Sequence, residues 1–248
     1  MINTMHLAAQ YLATAAISFI LKKNDDSHTN LGWRNHTLLT HPFPNGDALG
    51  LNYENFSLEW ITQNGNKEHF LLDGKTHQDI ISWISKTSSV YIVEVPYNYN
   101  LHYDLPYEEI NTETRFELAN PEALNALIKQ RDVAQRVISQ ILKSNALHSS
   151  VRIWPHHFDT GAFTIVNDKL AIGIGLAIPD TLIDDFYFYI SGYNGHDAVA
   201  LDFNDNTPHE DYYSNGWKGF AKPLSELNEE SAIAFCQMAI DTYINSVK

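Results

Sequence analysis

The segment Trp154–Asp159, which reads Trp-Pro-His-His-Phe-Asp, holds the residues best suited to chemistry in this chain. In an extended segment adjacent side chains point to opposite faces, so His156 and His157 cannot aim at one point. His157 and Asp159 stand two residues apart and can share a face. The pair offers a neutral imidazole and a carboxylate, which suits a metal site or general acid–base catalysis. The alternative is a structural hydrogen bond in which the carboxylate only orients the imidazole.

A second Trp-x-x-His segment, with Trp33 and His36, precedes Trp154 and His157 by 121 residues (154 − 33). If the two halves of the chain pack about a pseudo-two-fold axis, His36 is expected to approach His157. Further ligands would then come from the loop that follows, where His196, Asp197 and His209 are available. The candidate ligands of a divalent metal are therefore His36, His157, Asp159 and His196.

Two connections are candidate ligand-binding segments. Pro96–Tyr107 is rich in tyrosine, whose flat apolar ring and polar tip suit a pocket wall or a dimer interface; the alternative is a strap packed over the domain. Loop 192–216 is long enough to line a binding site. Residues 202–206 match the first ligand positions of a calcium loop, but Thr207 stands where glycine is required. The candidate ligand-binding residues are Trp33, His36, Tyr97, Tyr99, Trp154, His157, Asp159 and His196.

The elements that must position these residues are marked by periodicity and by capping signals. Apolar spacing predicts a helix over residues 5–22 and another from Pro121 through Leu142. Thr76 with Asp79 predicts the start of a short helix, about 77–86, and Asn228 the start of a final helix. Strand-like runs are Asp47–Tyr53, Phe56–Thr62, Glu68–Leu72, Val90–Val95, Val151–Trp154, Ala162–Val166, Leu170–Ile178, Phe186–Ile190 and Trp217–Lys222.

The order of these elements predicts the α+β class, with antiparallel sheets that carry helices on one face. Each half runs through a helix, a Trp-x-x-His segment, several strands and a second helix. This similarity predicts an internal duplication of a helix–strands–helix unit. The alternative is that the same order recurs by chance. The proposed repeats are residues 5–90 and 121–247, joined by a connection at 96–120, within a single compact unit, 1–248.

Composition limits the class of partner. The 248 residues carry a formal net charge of −14, and such a field repels phosphate backbones and anionic lipid, so neither nucleic acid nor membrane is expected as a partner. Cys236 is the one cysteine, so no disulfide can form within the chain.

The apolar-rich run at residues 5–21 has no preceding Lys or Arg, and Gln10, Thr14 and Ser18 interrupt it. We therefore expect a soluble cytoplasmic protein rather than a secreted one. The oligomeric state is left open.

The chain resembles a bacterial family that is classified as a domain of unknown function. The similarity covers most of residues 31–246 in order and residue type. The family's recurring His and Phe-Asp are present here as His157, Phe158 and Asp159, whereas Trp or Gly-Ser in the family is replaced by His156-His157. The resemblance implies a full-length shared architecture and no particular activity. The other matching stretches are Leu38–Trp60, Val93–Pro96, Pro106–Glu108, Asn120–Ala123, Phe186–Tyr189 and Gly219–Leu224.

Three functions follow from these features. The leading hypothesis is a small-molecule ligand-binding or regulatory domain, with the tyrosine-rich connection and loop 192–216 at the mouth of the site. The first alternative is a metal-dependent hydrolase-type enzyme centred on His157 and Asp159. The second is a protein-interaction module that uses the tyrosine-rich loop. No nucleophile elbow, phosphate-binding loop or dinucleotide fingerprint is present in the sequence.

Overall fold

The computed structural model describes residues 1–92, 95–107, 110–203 and 210–247. The chain divides into two units whose boundaries cross the proposed repeats. Unit 1 comprises Met1–Gln130 and Ile153–Phe158, and unit 2 comprises Arg131–Arg152 and Asp159–Lys248. Among the described residues, no helix is both long enough and apolar enough to cross a bilayer.

Four α-helices occur in the described residues, and three begin at caps that the sequence predicts. Thr76 and Asn228 each form a capping box. The side chain of Asn120 accepts a 3.1 Å hydrogen bond from the backbone N–H of Ala123. These caps satisfy backbone donors that the first helical turn leaves unpaired. The helices are α1 (Ile2–Phe19), α2 (His77–Tyr91), α3 (Pro121–Ser144) and α4 (Glu229–Ser246).

The sheet of unit 1 is an antiparallel meander in which the five strands pair in chain order, β1-β2-β3-β4-β5. Its first hairpin turns through Asn35 and His36, both with positive φ, as a two-residue loop requires. Phe19 of α1 packs edge-on against Trp60 of β4, which places the core between helix and sheet. The strands are β1 (Gly32–Arg34), β2 (Thr37–Leu39), β3 (Ala48–Asn52), β4 (Ser57–Ile61), β5 (Lys67–Leu71), β6 (Lys75–Thr76) and β7 (Arg115–Phe116), of which β6 pairs with β7.

The second sheet is also antiparallel and has the order β13-β14-β11-β10-β9-β8, with β12 paired to β11. Its buried face carries Ile172, Ile174 and Phe188, which form one apolar cluster with side chains of α3 and α4. This arrangement confirms the predicted α+β class. The strands are β8 (Arg152–Ile153), β9 (Thr160–Asn167), β10 (Leu170–Ala177), β11 (Tyr187–Asn194), β12 (Asp197–Ala198), β13 (Tyr212–Tyr213) and β14 (Gly219–Pro223).

The strand order of the two sheets bears on the proposed duplication. The first sheet pairs its strands in chain order, and the second does so from β8 to β11 before it takes in β14. Leu49-Gly50-Leu51 lies in β3 and Ile172-Gly173-Ile174 in β10, each the third strand of its run. A similar order also arises in unrelated antiparallel sheets, so the duplication stays a prediction.

Two local predictions differ from the structure. Residues 90 and 91, expected to begin a strand, instead close α2, because a well-capped helix with buried Ile80 and Ile84 overrides the β propensity of a short run. Val93 and Glu94 lie outside the described residues. The region 192–216 is not one open loop, since it contains β12 and β13. Its candidate positions 204–209, including His209, also lie outside the described residues.

Candidate functional site

A buried polar stripe on α1 organises the candidate site of unit 1. His6, Gln10 and Thr14 stand four residues apart, so they share one face of the helix. Each is at most 1% exposed, within a helix whose other buried residues are all hydrophobic. Because buried polar groups must be hydrogen-bonded, this face requires partners from elsewhere in unit 1.

The first partner of the stripe is the turn formed by residues 154–158. The carbonyl of Pro155 accepts hydrogen bonds from Nε2 of His6 at 2.6 Å and from Nε2 of Gln10 at 2.9 Å. Within the turn, the carbonyl of Trp154 accepts from the backbone N–H of Phe158 at 2.6 Å. The ring of Phe158 stacks on His6 with centroids 4.6 Å apart. This contact offsets the energetic cost of the left-handed backbone conformation of Phe158, whose φ is 59°.

This geometry corrects the expectation of an extended segment. The backbone turns at residues 154–158, so the alternation of faces along a strand does not apply to His156 and His157. Their ring centroids lie 4.2 Å apart. For the same reason His157 does not share a strand face with Asp159, and the two residues belong to different units.

The second partner of the stripe is the tyrosine-rich strap, residues 95–107. The hydroxyl of Tyr103 donates to Oε1 of Gln10 at 2.7 Å, and the hydroxyls of Thr14 and Tyr97 are 2.8 Å apart. Tyr97 is buried, and Tyr99 packs against the ring of Tyr11. These two candidate ligand-binding tyrosines therefore pack against other residues of unit 1. This agrees with the alternative interpretation of the segment as a packed strap.

The strap, the turn and Asp26 together form a group of rings and charges that we name the histidine cluster. His156 lies at its centre, with ring centroids of Tyr103 at 5.5 Å and of Trp154 at 6.0 Å. His157 is exposed and His156 is partly buried. The cluster comprises Asp26, His102, Tyr103, Trp154, His156 and His157.

His156 is the electrostatically unusual member of the cluster. Burial lowers the pKa of its imidazole from 6.5 to about 4, and the neighbouring His157 acts in the same direction. Its side chain is therefore uncharged at neutral pH. In the part of the chain that the structure describes, its contacts are with rings, and neither ring nitrogen takes up a hydrogen bond. A neutral imidazole has one donor nitrogen and one acceptor nitrogen.

An acidic residue completes the cluster on the strap side. Oδ2 of Asp26 lies 3.2 Å from Nε2 of His102, and both side chains are partly exposed. Asp26 has a left-handed φ of 53°, a conformation that aspartate tolerates better than most residues. Its Oδ1 is buried and has no hydrogen-bond partner among the described residues. Within the described residues, Oδ1 of Asp26 is thus a buried acceptor that receives no hydrogen bond.

Comparison of the chain with protein-family models, with curated proteins and with solved structures finds no match. The resemblance to a family of unknown function therefore stays a prediction, and the function must be argued from the geometry.

The other candidates in unit 1, Trp33 and His36, lie at the first hairpin. Nδ1 of His36 is 2.7 Å from Oε1 of Glu54. The ring of Trp33 packs edge-on against Tyr53 at 5.0 Å. His36 thus has a local carboxylate partner, and Trp33 helps to close the hairpin over the core.

Asp159 and His196 belong to unit 2. Asp159 is 7% exposed, and its Oδ2 accepts a 2.5 Å hydrogen bond from the hydroxyl of Tyr189. Burial and the carboxylate of Asp159 raise the pKa of Tyr189 well above its usual value, so the phenol stays protonated and donates. His196 is exposed in the turn between β11 and β12. Across the described ranges, no group of three or more His, Cys, Asp or Glu side chains is placed to hold a metal ion, so the proposed four-ligand set is not assembled.

Unit 1 contains a second polar centre, which the sequence analysis missed. Glu59 of β4 is 1% exposed, and its carboxylate accepts from Nζ of Lys67 at 2.7 Å and from Nδ2 of Asn52 at 2.9 Å. Nδ1 of His69 lies 3.4 Å away. The alternation Ser57-Leu58-Glu59-Trp60 reveals the strand but gives no sign that the polar face is buried.

Proposed function

We propose that the histidine cluster of unit 1 binds a small molecule that has a flat aromatic or heteroaromatic part and a hydrogen-bond donor. The observation that carries this proposal is the setting of His156, whose imidazole lies among aromatic rings with no hydrogen bond at its ring nitrogens within the described residues. The pKa of this imidazole, which burial lowers, agrees with that setting. Ligand sites are typically lined by aromatic side chains and contain a few convergent polar groups, some with perturbed pKa values.

The pKa of His156 favours binding over acid–base catalysis. A general base works best when its pKa lies near the operating pH. A histidine with a pKa of about 4 binds a proton weakly at neutral pH, so it contributes little as a base. The same property suits recognition, because the uncharged ring needs no counterion and can accept a hydrogen bond through its unprotonated nitrogen.

The surroundings of His156 define the expected ligand. The aromatic rings of Tyr103 and Trp154 contact the imidazole of His156 in tilted and edge-on arrangements, and such rings favour an aromatic ligand. Asp26 and the excess negative charge of the chain disfavour an anionic ligand. A neutral or weakly basic aromatic compound with an O–H or N–H group meets these conditions.

A matched pair of probes tests the proposal. We expect 4-methylphenol to bind measurably more tightly than toluene, because the two share a ring and differ in the hydroxyl that donates to His156. His156→Gln should abolish the difference, whereas His148→Gln, which replaces an exposed histidine of unit 2, should preserve it. Native mass spectrometry of the purified protein would also reveal a retained ligand. Equal binding of both probes by wild type and His156→Gln contradicts the proposal.

A further inference from the structure

Strand β9 of unit 2 combines an exposed apolar row with a sparsely paired edge. Phe163 is 50% exposed and Ile165 is 75% exposed, on the face of β9 opposite the buried Thr164. Their register partners on β10 are Gly173 and Ala171, which are too small to cover them. Two large apolar side chains therefore remain open to solvent on adjacent positions of one face.

The edge of β9 has little pairing within the described residues. On one side β9 pairs with β10 along nearly its full length. On the other side the sheet order continues only to β8, which has two residues against eight in β9. Because β8 is much shorter than β9, it lies beside only part of that side of β9. A strand segment with apolar side chains and no neighbouring strand is a template for another strand.

We propose that β9 pairs antiparallel with β9 of a second copy of this chain, about a two-fold axis at Thr164. In that register Phe163 of one copy stands opposite Ile165 of the other, and the contact occurs twice. Ala162 stands opposite Val166 in the same way. The strand is thus self-complementary, as a two-fold symmetric interface requires, and cross-strand pairs of an aromatic with a β-branched residue stabilise antiparallel sheets.

The side chain of Thr164 supports this register independently. Its Oγ1 is buried and has no hydrogen-bond partner among the described residues. A two-fold axis at this position brings the two Thr164 side chains directly opposite each other, and threonine pairs across antiparallel strands form hydrogen bonds. Pairing would therefore satisfy a polar group that the single chain leaves unsatisfied.

Cysteine cross-linking tests the register. Residues directly opposite each other in an antiparallel pair have Cα atoms about 4.5–5.5 Å apart, which suits a disulfide. Thr164→Cys should therefore give a covalent dimer under mild oxidation, whereas Val166→Cys should not, because its opposite residue is Ala162. The native Cys236 is buried and should not interfere. Equal cross-linking of both variants, or of neither, overturns the register.

Sedimentation analysis of the full chain tests the association itself. We expect a dimer whose formation strengthens with added salt, because each copy carries a net charge of −14 that salt screens. Ile165→Lys should weaken the dimer by about tenfold or more. The control Leu71→Lys, at an exposed position of β5, should leave it unchanged. A monomeric wild type at the highest soluble concentration overturns the proposal, as does a dimer that Ile165→Lys does not weaken.

Discussion

The hydroxyl of Tyr103 donates a 2.7 Å hydrogen bond to Oε1 of Gln10, a side chain that is fully buried on α1. Replacing Tyr103 with Phe keeps the ring and leaves a buried amide oxygen without its donor. Such a loss costs about 1–2 kcal/mol. We expect Tyr103→Phe to lower the free energy of unfolding by that amount in urea titration.

A matched control distinguishes the effect of burial on the free energy of unfolding from the effect of the hydrogen bond itself. Tyr91 donates a 2.7 Å hydrogen bond to Oε1 of Glu68, but this pair is exposed to solvent. Tyr91→Phe should therefore change the free energy of unfolding by no more than about 0.5 kcal/mol. If the two variants lose equal stability, the strap is not held by its buried polar contacts.

The glycines of β10 differ in how closely the next strand covers them. A Cβ at Gly175 would lie 2.6 Å from the ring of Tyr189, whereas a Cβ at Gly173 would lie 3.3 Å from Oγ of Ser191. Gly175→Ala must displace Tyr189 and weaken its hydrogen bond to Asp159. We expect a loss of about 1–3 kcal/mol for Gly175→Ala. Gly173→Ala should cost clearly less, and the reverse order in thermal unfolding would refute the packing described for Tyr189.

Two histidines whose pKa values are lowered in the folded chain, His156 and His77, predict a loss of stability in mild acid. The pKa of His156 is lowered by burial in the folded state, to about 4 from 6.5. The unfolded chain therefore binds more protons than the folded chain between these values, and the free energy of unfolding falls as the pH drops from about 6.5 to about 4. Burial shifts the pKa of His77 in the same direction. His156→Gln should flatten this dependence, and His148→Gln should not; identical pH profiles for the two variants would be evidence against a neutral His156.

The carboxylate of Glu59 depends on its cationic partner. Lys67→Met removes the 2.7 Å contact and leaves a buried charge held by Asn52 and the more distant His69. We expect a loss of about 1–3 kcal/mol, because hydrogen bonds to charged groups contribute more than neutral ones. Arg136→Met, which breaks an exposed pair with Glu229, should cost less than about 1 kcal/mol. Urea titration of both variants compares the two losses directly.

Local signals in the sequence predict the elements well but not the site. The caps at Thr76 and Asn228 and the α+β class follow from patterns within a few residues. Gln10 stands out only as an interruption of an apolar run, because its partners Pro155 and Tyr103 are 145 and 93 residues away. The four-residue spacing of His6, Gln10 and Thr14 is the sequence signal that indicates a polar helix face in need of hydrogen-bond partners.

The turn at residues 154–158 explains why the spacing of His157 and Asp159 does not place them on one strand face. Alternation of side chains assumes an extended backbone, but Phe158 adopts a left-handed conformation that its stack on His6 stabilises. That contact spans almost the whole of unit 1 in sequence and cannot be inferred from local propensity. The spacing in the sequence therefore favours His157 and Asp159, whereas the structure places His156 among the aromatic rings.

Histidine-ring ¹H–¹⁵N NMR of the full chain tests the central claim most directly, with His156→Gln used for assignment. The account predicts that His156 is neutral at pH 7, titrates near the low value of about 4, and shifts on addition of 4-methylphenol but not of toluene. A His156 that titrates near its usual value of 6.5 and responds to neither probe would contradict it.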